Sequence, residues 1–92
     1  MSDSLLIRWR TSDQAIANAV ADETVILHLG SGTYFGLDPI GARLWAAVKN
    51  GAIPASLCDE LIAEYDVEQA TLEQDLRALI DELAANELIL PA

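Results

Sequence analysis

The chain holds one histidine, His28, and one cysteine, Cys58, so its capacity for side-chain chemistry is small. Enzymatic work requires a nucleophile with its base, a metal cluster, or carboxylates whose pKa values are driven apart. His28 sits in an alternating, strand-like run where a surface or edge position is expected, and no orienting partner for a general base accompanies it. Cys58 lies beside Leu57 and Leu61 in a helical pattern and reads as a small buried residue. A single cysteine forms no internal disulfide and no structural zinc site. Asp59-Glu60 and Asp81-Glu82 are adjacent pairs that point to different sides of a helix, as solvated charge does. Gly30-Ser31-Gly32 lacks the glycine number and the directly following helix of a phosphate cradle. The residues therefore predict a protein without catalytic or metal-binding residues and without a cofactor.

Charge narrows the partners. Five Lys and Arg against 15 Asp and Glu give a net charge of −10. Such a surface repels a duplex backbone, which carries one negative charge every ~1.7 Å of axis, and an anionic membrane likewise. Neither nucleic acid nor membrane is expected as a partner. A basic peptide or protein fits the sign, although acidity also serves solubility alone. The apolar fraction of 52% and the length of 92 residues predict one folded domain over residues 1–92, with 1–14 an arm or strand of open register. With no signal-peptide pattern at the first residues and no apolar run near ~20 residues, a cytoplasmic location is expected.

The elements that position the remaining side chains follow from periodicity. Residues 15–20, 23–29 and 33–37 read as three antiparallel strands, the first of them weak. Thr24, Ile26 and His28 alternate with Val25, Leu27 and Leu29. Asp22-Glu23 reads as a turn, and Gly30-Ser31-Gly32 as a two- or three-residue hairpin loop whose glycines permit positive φ. Asp38 offers a helix cap and Pro39 the φ of a first turn. The first helix, 39–49, gathers Ile40, Leu44, Trp45 and Val48 and ends at Asn50-Gly51. A second helix is expected over 54–64. Asp66 and Gln69 have capping-box spacing and open a third helix to residue 85, with Leu72, Leu76, Leu79, Ile80 and Leu83 as its stripe and Asn86 at its close. Leu88-Ile89-Leu90 packs back or adds a short strand. Trp45 falls on the core stripe; Trp9 is open between core and binding surface. Periodicity alone gives an α+β element order.

Four segments together carry a likeness: V-I-L-H-L at 25–29, G-T-Y-F-G-L-D at 32–38, G-A-R-L-W at 41–45, and the Tyr65-Asp66-Val67 start of a leucine-patterned C-terminal helix. In this order and spacing the chain resembles the PqqD-like family of peptide-recognition domains, the RiPP recognition elements, and within it the standalone leader-binding proteins of lasso-peptide biosynthesis. The likeness covers roughly residues 15–90. It implies a winged helix-turn-helix-like α+β fold, a three-stranded antiparallel sheet followed by three helices.

The resemblance also implies a function. An edge strand is a liability unless it is covered or used, and a foreign peptide can add to it as a further strand. In the family the leader of a precursor peptide pairs with the third strand and lies between it and the third helix. Carried over, the strand is Thr33, Tyr34, Phe35, Gly36 and Leu37, and the helix supplies Thr71, Asp75, Ala78, Leu79 and Glu82. Which of Tyr34 and Phe35 faces the groove stays open. The implied partners are a precursor leader peptide, a separate leader peptidase chain and an ATP-dependent cyclase. The alternatives are a PqqD-type chaperone serving a radical enzyme, a winged-helix DNA binder, which the single Arg77 on the third helix disfavours, and an unrelated assembly subunit.

Overall fold

A computed structural model describes residues 3–21 and 23–92 of the chain. The strands are β1 (Trp9–Thr11), β2 (Ala15–Val20), β3 (Glu23–His28), β4 (Thr33–Leu37) and β5 (Ile89–Pro91). The helices are α1 (Pro39–Lys49), α2 (Pro54–Glu64) and α3 (Gln69–Ala85). The expected sheet is present as the antiparallel order β2-β3-β4, and the three helices follow it. A second, two-stranded sheet joins the chain ends, with Arg10 opposite Leu90 in β1 and β5. The N-terminal segment and the apolar tail thus resolve each other's register.

Alternation decides which face of the main sheet is inside. Ala17, Ile26 and Phe35 stand in register on the face toward the helices, where Ile26 is fully buried. Ile16, Leu27 and Tyr34 make the opposite row, and Tyr34 is 70% exposed there. His28 shares the inward face with Ile26 and is buried, contrary to the expected surface position. Its ring Nδ1 accepts from the Ser31 backbone N–H at 3.1 Å. The only histidine is therefore an anchor for the β3–β4 loop. That loop is longer than expected: β3 ends at His28, paired with Thr33, and Leu29 lies outside it and half exposed. Gly32 supplies the positive φ, +70°. At the β2–β3 turn Glu23 already pairs with Val20, and Ala21 takes φ 56°, so the turn precedes Glu23; Asp22 lies outside the described residues.

The helix ends follow backbone logic. Asp38 Oδ1 accepts from Gly41 N–H at 2.7 Å and caps α1 behind Pro39. After α1, Ala52 N–H donates to Ala47 and Gly51 N–H to Val48, with Gly51 at φ 80°. After α3 the same pair of bonds runs from Leu88 to Leu83 and from Glu87 to Ala84. Asn86 closes α3 as expected, and the residue after it, Glu87, takes the left-handed conformation at φ 59°. Leu83 and Leu88 are both buried, and that apolar contact accompanies the turn and aims β5 back at β1. The expected capping box is absent. Val67 N–H donates to Tyr65 C=O, which holds this segment outside the helix, and α3 starts at Gln69 behind Glu68 with no side-chain cap. Gln69 Nε2 instead donates to Glu73 at 2.8 Å.

The core fills the space between sheet and helices, with Leu44, Leu61, Leu76, Ile80 and Leu83 at 0–1% exposure. Trp45 is buried in it as expected. Trp9 joins it as well, its indole N–H donating to Ser4 C=O at 2.9 Å, which removes it from any binding surface. Cys58 is buried, and burial pushes its thiol pKa up, the setting of an inert structural cysteine.

Candidate functional site: an open strand edge beside an apolar groove

β4 is a terminal strand of the main sheet: β3 flanks one side, and among the described residues no strand pairs with the other. Which of its main-chain groups are free follows from the register. Leu29 N–H donates to Gln14 C=O on the β2 side, while His28 C=O accepts from Gly32 N–H on the β4 side. Successive residues of a strand direct their N–H and C=O to opposite edges. Thr24, Ile26 and His28 thus face β4, and their partners Leu37 and Phe35 spend their main-chain groups on β3, while the Thr33 N–H donates to Ser31 Oγ at 3.4 Å in the loop. Tyr34 and Gly36 present theirs to the open edge. Gly36 adds no side chain there, and nothing lies within 4 Å of where a Cβ would stand. In a strand interior a glycine of this kind marks a place where another backbone can approach.

Beside this edge lies a groove of about 410 Å³. Phe35, Gly36 and Leu37 form one wall, and Asp38, Ile40 and Gly41 at the start of α1 form its end. Leu72, Asp75, Leu76, Leu79 and Glu82 of α3 form the other wall. Gly41 suits this close packing: a Cβ there would stand 3.2 Å from Leu37 Cβ, tighter than an ordinary contact. On α3 the lining residues recur at spacings of three and four, one helical face. The floor is leucine and the rim is carboxylate.

Six of the ten expected positions line the groove: Phe35, Gly36, Leu37, Asp75, Leu79 and Glu82. Tyr34 and Thr33 belong to β4, but the Tyr34 ring points to the outer face, and Thr33 faces a smaller cavity with His28 and Asn86. The open choice between Tyr34 and Phe35 is thereby decided for Phe35. Thr71 and Ala78 are exposed on α3 and do not reach the groove. Of the expected stripe Thr71, Asp75, Ala78 and Glu82, the second and last members line the groove, and the face toward β4 also runs through Leu72, Leu76 and Leu79, core positions by periodicity. Asp38, Ile40 and Gly41 were outside the expectation. The capping pattern placed them at a helix start, and only the fold brings that start to the groove.

Among the described residues no three metal-ligating side chains cluster, and no helix is long and apolar enough to cross a membrane. The geometry defines a class: a small α+β domain whose open strand edge and adjoining groove fit an extended polypeptide. The family model described as coenzyme PQQ synthesis protein D (PqqD) matches residues 23–89, and the chain belongs to that family. No curated protein sequence matches it. Among solved structures it is similar to TbiB1 in complex with the TbiA(beta) leader peptide, at 42% identity over 87% of this chain and 93% of that one, with a TM-score of 0.80. It is also similar to a lasso peptide synthetase B1 complexed with the leader peptide, at 28% identity over 91% and 99% of the two chains, with a TM-score of 0.83.

Proposed function

We propose that the chain binds the leader segment of a ribosomal precursor peptide in lasso-peptide biosynthesis and takes no part in bond chemistry itself. The observation that carries this is the open β4 edge beside a leucine-floored groove, in a chain 42% identical to a protein solved with a leader peptide. The leader adds as a strand, exchanging main-chain hydrogen bonds with Tyr34 and Gly36, while alternate side chains descend over Phe35 and Leu37 onto Leu72, Leu76 and Leu79. A separate leader peptidase and an ATP-dependent cyclase then act on the tethered core, and the domain contributes by raising its local concentration at them. The sheet and helices serve as a winged helix-turn-helix-like scaffold for peptide instead of DNA. In support, the one arginine of α3, Arg77, is engaged by Asp3 and Glu73.

The family description supports a second reading, a chaperone for a radical enzyme in quinone-cofactor synthesis. Identity to TbiB1 favours the first. Calorimetric titration with the TbiA(beta) leader peptide, and with the leader of the precursor encoded beside this chain's gene, tests the proposal. Saturable one-to-one binding that Leu37→Asp removes supports it, and a folded chain that binds neither leader overturns it. Co-purification of a radical enzyme, with no peptidase, selects the second reading.

A further inference from the structure

The groove's rim has a single sign. Asp38, Asp75 and Glu82 line it, and no Lys or Arg does. The chain's five cations are placed elsewhere. Arg43 pairs with Glu64 and Glu60, and Arg77 with Asp3 and Glu73. Arg8 donates to Gly51 C=O, Arg10 lies on β1, and Lys49 stands in the last turn of α1. Asp75 and Glu82 enter none of the ion pairs among the described residues, in a protein whose charge of −10 already disfavours further anions.

Resting on the leader-binding reading, we infer that the groove selects leaders carrying Lys or Arg at one or both of two alternate positions, those that flank the residue lying opposite Gly36. The main-chain register sets the positions. A residue opposite Gly36 points to the outer face, as Gly36 does, and its two neighbours point inward opposite Phe35 and Leu37. Those two side chains stand about 6.7 Å apart, on the strand repeat. Asp75 and Glu82 are seven residues apart, about 10.5 Å along the helix axis. The two spans are of comparable length, and both carboxylates line the groove into which the inward pair points. A long side chain at either position rests its methylene stem on Leu72, Leu76 or Leu79 and carries its cationic head to the rim. A leucine or phenylalanine covers the floor equally well but leaves both carboxylates uncompensated, and an acid meets like charge.

The test selects a randomised twelve-residue peptide library, displayed on phage, against the wild-type chain and against Asp75→Asn/Glu82→Gln. Both side chains are exposed and the swaps keep size, so the variant folds; circular dichroism confirms it. The expected result is enrichment of basic residues at an i, i+2 spacing by the wild type and loss of that enrichment with the variant. Synthetic copies of the selected peptides should bind the variant about fivefold more weakly per ion pair lost, the upper range for partly exposed pairs. The difference should shrink between 50 mM and 500 mM salt. Peptides enriched without basic bias, or bound alike by both chains, overturn the charge selection and leave leader binding standing. No enrichment by a folded wild-type chain, together with no titration signal from either leader, overturns both.

Discussion

Asp3 Oδ2 lies 2.8 Å from Arg77 Nη2, a bond between residues 74 positions apart in the chain. Asp3 Oδ1 accepts from Arg77 Nε at 3.1 Å, so the contact is two-pronged, and Arg77 also reaches Glu73. Leu5, two residues on, is buried, and its C=O accepts from Ala55 N–H. The N-terminal arm thus straps α2 and α3 together on the side of α3 away from the groove. The helix that forms one groove wall is braced from behind.

That brace has a pH dependence. The hydrogen bond from Arg77, assisted by Leu5 N–H, lowers the Asp3 pKa from 3.8 to about 2. A depressed folded-state value contributes stability that is whole above the unfolded pKa and is lost as pH falls through the folded one. The urea midpoint of wild type should exceed that of Asp3→Asn above pH 4, and the gap should close by about pH 2. A gap constant with pH would refute the charged role.

Replacing Leu79 with Glu places a third α3 carboxylate on the groove floor. Leu79 is half-buried and outside the fully enclosed core, so the fold should persist. Leader affinity measured by calorimetry should fall at least about tenfold, the cost of desolvating an unpaired acid against the peptide. Ala78→Glu, one position away and exposed, should leave affinity within about twofold, as surface changes off the contact do.

Main-chain register separates neighbouring prolines. Tyr34→Pro removes an N–H that faces the open edge, a position where strands tolerate proline. Phe35→Pro removes one bonded to Ile26 in the interior of the ladder. Chemical denaturation should find Phe35→Pro the more destabilising by about 1–3 kcal/mol. Tyr34→Pro should weaken the leader about fivefold to tenfold, the worth of one hydrogen bond. Equal stabilities would show the assigned register to be wrong.

Glu87 holds φ 59° after α3, a conformation that costs a side-chain-bearing residue about 1–2 kcal/mol. Glu87→Gly relieves it but frees the unfolded chain, for a net gain of about 0.5 kcal/mol. The urea midpoint should rise with the m-value unchanged.

Much of this was legible in local sequence because its causes are local. Alternation about Ile26 and Phe35, the cap at Asp38-Pro39 and the leucine spacing of α3 each act within a few residues, and their bounds match to within one or two positions. The Asp66–Gln69 spacing misled because it is a necessary pattern only: the backbone closure at Tyr65–Val67 took the segment first. His28 was misplaced since alternation names two faces without saying which is inward. Periodicity names the leucine stripe of α3 without saying which of its flanks meets β4: of the positions the resemblance supplies, Asp75, Leu79 and Glu82 line the groove, and Thr71 and Ala78 do not. The amino-acid order by itself determined the elements and the acidic sign. Tertiary packing alone decided that, among the described residues, β4 keeps an open edge and Asp75 and Glu82 face the groove outside any ion pair, and that α1's first turn ends the groove, because each depends on contacts between segments distant in the chain.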